Sequence, residues 1–423
     1  MKTIPRISSA ALWLLLSILS AGSMAYFVAK IWSANQPPGF SDLYAGWWGA
    51  HELFLHGRTP YQPAIAHEIQ TVIYGAPVAP GSAQDPSGIA GGFAYPPYIA
   101  FLLWPTVYLS FAAAQRIFVA VSVAGTLFSV AAWLRLLRFR WSPLMWITVP
   151  IFTLGSFPAM QGLKLQNPSL LAASVIAIAL FLLSTDRLVS AGMWLAISTF
   201  KPQFTIALIL WLALWTVSDW RRRRPFAWSF LATLLALVLT SEWFVPGWIS
   251  SFLSVIRAYR KYTYGHSLLD IWFTPTVGSW IGACLLIATF VFCWKYRSEP
   301  ADSARFVLII AFLLAMSLVV IPTLAPHAQL LLLPGFLTLL RQRAELASIG
   351  VLGRLVSVAA WALLGWPWIV AFALMLAATR FPTSALQRFW EIPLYTSPLL
   401  PLGIALALGC RMYSARGAND SVS

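Results

Sequence analysis

Asp42 follows the first long apolar run, in Gly39-Phe40-Ser41-Asp42-Leu43-Tyr44-Ala45. A carboxylate beside so much apolar surface is costly to desolvate, so it needs a function or a partner. Four further polar spots each touch a proline: Tyr95-Pro96-Pro97, Gln166-Asn167-Pro168, Lys201-Pro202-Gln203 and Pro326-His327-Ala328-Gln329. Proline is favoured where a helix opens, and a helix N-terminus presents free N–H groups and partial positive charge. Three such ends, at Pro168, Pro202 and Pro326, would suit a phosphate if they converged on one vestibule. Proline also simply punctuates membrane helices, so the chemistry depends on whether these spots share one face with Asp42.

The elements that must position them are membrane helices. Of 423 residues, 59% are hydrophobic and only 10% charged, and apolar stretches long enough to cross a bilayer recur throughout. The expectation is an all-α polytopic membrane protein, a single domain over 1–423 with no room for a large soluble unit. A net charge of +15 would suggest nucleic acid in a soluble protein. Here the basic residues fill short loops and set orientation instead, which excludes nucleic acid as a partner. Cys284, Cys293 and Cys410 lie in or beside apolar helices, with neither a disulfide framework nor zinc spacing.

The basic clusters are Arg135/Arg138/Arg140, Arg221 to Arg224, Lys295/Arg297/Arg305, Arg341/Arg343 and Arg411/Arg416. With Lys2 and Arg6 inside, Ala10–Trp32 crosses outward as an uncleaved anchor. The run Tyr98–Phe111 is about four turns long. If it crossed, Arg135–Arg140 and Arg221–Arg224 would be external; lying in the outer interface, it leaves every basic cluster inside. Further spans then run over 117–137, 143–158, 168–184, 188–200, 203–219, 226–245, 276–294, 304–321, 329–340, 353–378 and 394–412, about twelve in all. The runs 188–200 and 329–340 are short and need a thinned outer leaflet. Both termini are then cytoplasmic. Asp42, Tyr95, Gln166, Asn167, Lys201, His327 and Gln329 all fall on the outer face, as do the outer loops 33–97 and 246–275.

In the first of these loops, residues 42–73 read as two interfacial helices mixing Leu43, Tyr44, Trp47 and Trp48 with Asp42, His51, Glu52 and His56. Gly57-Arg58-Thr59-Pro60-Tyr61 is a turn, and Ala76–Gly92 reads as a flap. His51 and His56, five apart, should diverge on a helix, and His67 and His266 lack partners in sequence, so no metal pair is expected.

Asp42-Leu43-Tyr44, Leu55-His56-Gly57-Arg58-Thr59-Pro60-Tyr61 and Phe93-Ala94-Tyr95-Pro96-Pro97 resemble the start of glycosyltransferase family 87. Gln166-Asn167, Lys201-Pro202 and Pro326-His327 resemble later islands of the same pattern, over about residues 10–340. The family contains polyprenol-phosphate-mannose-dependent mannosyltransferases of the GT-C superfamily. The resemblance implies an inverting transfer of a hexose, mannose in particular, from a polyprenyl-phosphate donor to a lipid or glycan acceptor on the outer face of the cell membrane. It maps the catalytic base onto Asp42, a donor contact onto His327, and the lysine of the Lys-Pro island onto Lys201. The insert Gly75–Gly92 lengthens the first outer loop and bears on the acceptor.

With that chemistry, Lys201 and His327 are candidates to hold the phosphate, as are Arg257, Arg260 and Lys261. A snorkelling lysine, a helix-capping histidine and a solvated basic face are the plain alternatives. Gln166 and Asn167 could bind sugar hydroxyls, with Asn167 equally placed to cap the helix after Pro168. Tyr95 could stack on a sugar or anchor at the interface, and Gln329 joins the set by position. No Asp-x-Asp pair or acidic cluster accompanies Asp42, so neither metal nor cofactor is expected. A transporter or lipid flippase is the alternative class. It would need ionisable residues buried mid-membrane or an inverted repeat, whereas the spans are almost free of charge.

Overall fold

The computed structural model describes residues 9–28, 37–79, 92–139, 143–262, 266–321, 325–342, 346 and 350–420. Lys2, Arg6, Arg140, Arg343 and most of the 76–92 flap lie outside the described residues, as do the side chains of Arg260, Lys261 and Arg416. All regular structure among the described residues is helical. After α1 (Ser9–Phe27), Ser41 accepts from the Leu43 amide and opens α2 (Asp42–His56), which Gly57 closes in the left-handed region at φ 65°. Pro63 opens α3 (Pro63–Tyr74). The 98–111 run is broken into α4 (Tyr98–Leu103) and a single tight turn over Trp104–Thr106. At 1.5 Å per residue, neither piece reaches across a hydrocarbon core of roughly 30 Å.

The bundle proper begins at α5 (Phe111–Leu136), capped by Ser110. The expected single span at 143–158 is instead two helices, α6 (Pro143–Leu154) and α7 (Phe157–Leu165), bent by 53°. Then come α8 (Ser169–Ser184), α9 (Leu188–Ile197), α10 (Pro202–Ser218) and α11 (Trp220–Phe244). The loop read at 246–275 carries α12 (Trp248–Tyr262) and α13 (Leu268–Trp272). α14 (Pro275–Trp294), α15 (Ala304–Val320) and α16 (Leu333–Arg341) follow, and long helices over Val351–Ala377 and Leu399–Asp420 complete the chain.

Helices α5, α8, α9 and α11 pack in a row, each against the next. α15 lies at the centre against α10, α14, α16 and Leu399–Asp420, with most of its side chains buried. α11 is the opposite case: Leu231, Leu235, Leu239 and Trp243 recur every fourth residue and are all exposed. An apolar stripe on the outside suits hydrocarbon, not water. Five helices are long and apolar enough to cross a membrane, six with the bent α6–α7 pair, and five shorter apolar helices accompany them. The protein is a helical membrane protein.

The basic loops meet at one end of this bundle. Arg138 pairs with Asp302 at 2.9 Å, and Arg341 donates to the Leu137 carbonyl. Arg223 donates to the Arg297 carbonyl at 3.1 Å, and Arg411 to Gln342 at 3.2 Å. These contacts join the last turns of α5, α14 and α16 to the first turn of α11. There Arg223 also donates to the Trp215 carbonyl in the last turn of α10, and Arg222 pairs with Asp186, just past α8, at 3.2 Å. The first turns of α8 and α10 therefore open at the other end.

Candidate active site

At that other end, Asp42 is the first residue of α2, directly after its cap. Ser41 Oγ also donates to Gln166 Oε1, which accepts a second bond from Gln115 Nε2 on α5 at 3.1 Å. Trp47 Nε1 donates to the Thr106 carbonyl at 3.1 Å and fixes the helix against the turn after α4. Asp42 is thus held from below by the cap and from the side by α5 and the α7–α8 turn.

That turn contains Gln166, which takes a left-handed conformation at φ 52°. It thereby delivers Asn167. The Asn167 amide nitrogen donates to Asp42 Oδ2 at 2.6 Å. Its carbonyl oxygen accepts from the Ser169 amide at 2.8 Å, from Ser169 Oγ at 2.6 Å and from Lys201 Nζ at 3.0 Å. Asn167 is at once the cap of α8 and the bridge between Asp42 and Lys201. Ser169 Oγ also accepts from Lys201 Nζ, at 3.0 Å.

Lys201 is buried at the mouth of α10, behind a tight turn over Ser198–Phe200. Tyr98 Oη donates to the Thr199 carbonyl at 2.9 Å and ties that turn to α4. The ammonium sits 5.7 Å from the Tyr95 ring centroid and 5.5 Å from that of Phe204, within reach of a cation–π attraction. Tyr61 Oη donates to the Tyr95 carbonyl at 2.5 Å and holds Tyr95 in place. Burial lowers Lys201 to about 8, partly offset by Asp42. It therefore remains mostly charged at neutral pH.

Asp42 keeps one face open while protein crowds the others. Crowding pushes its carboxyl above the ordinary value, and the Asn167 hydrogen bond and Lys201 pull it back. His327 lies in a tight helical turn over Pro326–Leu332 that packs on α7 and α8. Its Nδ1 is shielded from solvent and has no hydrogen-bond partner among the described residues. Burial, with Lys201 adding to it, lowers His327 to about 3. The imidazole is neutral here, a hydrogen-bonding group and not a second cation.

The open face of Asp42 gives onto a cavity of about 100 Å³. Apart from Asp42, Tyr95 and Thr106 its walls are almost entirely apolar, with Leu102, Ile117 and Val121 among them. These three are themselves exposed on the outside of the bundle. The cavity is thus a lane from the carboxylate to the apolar exterior.

The sequence-derived residues divide. Asp42, Asn167, Lys201 and Tyr95 are brought together, with His327 close enough to Lys201 to feel its charge. Gln166 turns toward Ser41 and Gln115 and positions Asp42 instead of facing the cavity. Gln329 is not brought in: its amide donates to the Ser397 carbonyl at 2.7 Å and lines a separate apolar cavity. Ser169 and Gln115 belong to the network but escape a reading of the sequence. Gln115, an isolated amide near the start of an apolar helix, is the one signal the sequence offers.

One expectation is overturned. His51 and His56 do not diverge: both place Nδ1 on Glu52 Oε1, at 3.1 and 3.2 Å. Glu52 lies between them on the helix surface, and its carboxylate gathers both rings.

The family model of glycosyltransferase family 87 matches residues 93–322. The matched stretch includes Tyr95, Gln166, Asn167 and Lys201, while Asp42 and His327 flank it. No curated protein and no solved structure matches the chain. The match covers more than half of the sequence, and the chain belongs to glycosyltransferase family 87.

Proposed function

We propose that this membrane glycosyltransferase moves a hexose, mannose in particular, from a polyprenyl-phosphate donor to an acceptor hydroxyl on a lipid or glycan. The carrying observation is the conjunction at Asp42. A carboxylate that faces an apolar lane to the exterior is joined through a single asparagine to a buried ammonium. A donor with an anionic head and a long hydrocarbon tail has the matching layout. A nucleotide sugar would leave the apolar lane unused.

In this reading the acceptor oxygen attacks the anomeric carbon as the bond from that carbon to the phosphate oxygen breaks. Asn167 occupies Asp42 Oδ2, which leaves Oδ1 to take the hydroxyl proton. A single displacement with the base opposite the leaving group inverts the anomeric centre. The departing polyprenyl phosphate takes the electrons of the broken bond and gains one negative charge, which Lys201 offsets, and the orphaned His327 Nδ1 can donate to a phosphate oxygen. Such fixed positive and donor groups usually make the largest catalytic contribution.

The orientation belongs to the same proposal. Basic loops gather at the end of the bundle away from Asp42, and the charge rule assigns that end to the cytoplasm. The site is then on the outer face, and α1, the bent pair, α16 and the shorter apolar helices other than α12 bring the spans to about twelve. The donor is tested with full-length protein in lipid nanodiscs, supplied with radiolabelled polyprenyl-phosphate mannose or with nucleotide sugars. Turnover with the lipid-linked sugar alone is expected. Turnover with a nucleotide sugar alone would refute the donor assignment.

A further inference from the structure

Ten residues along α2 from Asp42, three side chains converge on one point. His51, Glu52 and His56 offer ligand-type atoms that all lie within 4.8 Å of one another. We propose that they form a structural site for a divalent cation of the zinc class. One nitrogen from each imidazole and Oε1 of Glu52 ligate it, and water takes the fourth position.

Two of the three ligand spacings fit such an ion, and the third, between the two imidazoles at up to 4.8 Å, closes by a turn of the exposed His56 ring. Ligands at 2.0–2.2 Å around a tetrahedral zinc stand roughly 3.3–3.5 Å apart. Both imidazole nitrogens are 3.1–3.2 Å from the same carboxylate oxygen. Two nitrogens and one oxygen make a borderline donor set, suited to zinc. Magnesium and calcium call for more oxygen ligands than this site holds.

The surroundings are built for it as well. Glu52 is only 4% exposed while His56 is 53% exposed, so the site has a buried floor and an open rim for entry. Arg58 donates to the other oxygen of Glu52 at 2.8 Å and to Glu68 at 2.6 Å. That leaves Oε1 as the metal-facing atom, the outer-sphere arrangement that orients ligating carboxylates. Two carboxylates against one guanidinium leave a net charge of −1 for a cation to meet. The His51 ring stacks on Trp48 at 5.0 Å and 7°, and Trp48 donates to Glu68 at 2.9 Å. This ligand is therefore oriented before any ion arrives.

The role follows from distance. Ten residues of helix span about 15 Å, too far for the ion to touch atoms reacting at Asp42. It locks the last turn of α2 and, through Arg58 and Glu68, braces that helix against α3. Asp42 stands at the other end of the braced helix.

The test uses full-length protein carrying no polyhistidine tag, stripped with EDTA and held in nanodiscs of neutral lipid. Zinc chloride is titrated by calorimetry, with melting followed in parallel. One zinc per chain is expected, with a higher melting temperature, and excess magnesium should not compete. Loss of an outer-sphere partner typically weakens metal binding about 10- to 100-fold, and loss of a direct ligand should cost at least as much. His56→Ala and His51→Gln should therefore each lose stoichiometric binding while keeping the turnover of zinc-free wild type. His56 is largely exposed, so its replacement leaves the fold intact. Absence of stoichiometric zinc in wild type, or zinc binding unchanged in both variants, overturns the proposal in favour of a hydrogen-bonded cluster.

Discussion

Replacing Asn167 by Ala should narrow the pH–rate profile from both sides at once. Asn167 donates to Asp42 at 2.6 Å and accepts from Lys201 at 3.0 Å, so a single truncation loosens both ionised groups. A hydrogen bond to a charged group contributes about 1.5–3 kcal/mol, which moves a pKa by about 1–2. Asp42 has an open face, so water recovers part of its loss and the lower figure, about 1, is appropriate. The sign is upward, because the lost bond favours the carboxylate. For Lys201 the sign is downward from about 8, because the lost acceptor favours the ammonium. Ser169 Oγ still accepts from it, which again limits the change to about 1. At a fixed pH on the acid limb, kcat/KM should therefore fall about tenfold, with a matching loss on the alkaline limb. The assay is kcat/KM for polyprenyl-phosphate mannose from pH 5 to 10 on nanodisc-held protein, normalised to the folded fraction. A profile that superimposes on wild type, with both limbs within about 0.3 on the pH axis, refutes the bridging role.

Lys201→Met should raise KM for the donor about tenfold or more, the value of a lost charge-assisted contact, and abolish the alkaline limb near pH 8. A retained limb would assign it to another group. Gly46 lines the apolar lane, and a Cβ there meets Leu103 at 3.5 Å and Tyr95 at 3.8 Å. Gly46→Leu should therefore fill the lane and cut turnover with long-chain donors more than with short-chain ones; equal loss for both would remove the lane from the account. A reporter fused after Arg224 should read as cytoplasmic, and one within 76–92 as external; an external signal at Arg224 would reverse the orientation.

The parts of the site that are legible in sequence are those where chemistry and helix punctuation coincide. Asn167 and Lys201 each precede a proline that starts or caps a helix, and Asp42 follows a serine cap. Such residues stand out because a polar side chain at a helix end is exempt from the apolar pattern. Gln115 and Ser169 are hidden for the opposite reason. Both lie within apolar helices, where a single amide or hydroxyl resembles ordinary interior packing until its partner is known. The α6–α7 bend escapes a hydropathy reading although its signals are present: Ser156 caps α7 and Pro158 sits in its first turn. Hydropathy runs straight through them. The break also permits a close crossing, since a Cβ on Gly155 would stand 2.5 Å from the Ser20 carbonyl of α1. The histidine pair defeats the expectation of divergence because angular separation on a helix ignores the reach of a glutamate placed between the rings. Gln329 is a candidate only through the nearby His327, and residues two apart on a tight helical turn face different ways.

The most direct test of the central claim is Asp42→Asn, with donor binding, melting and turnover measured on one purified sample. The amide keeps the size and hydrogen-bonding shape of the side chain and removes its basic oxygen. A positioned general base contributes about 10²- to 10⁴-fold, or roughly 3–5 kcal/mol of barrier. The variant should bind donor lipid with near-normal affinity, melt near the wild-type temperature and lose turnover by that factor. Turnover within about threefold of wild type, far short of the loss of a general base, would contradict the account.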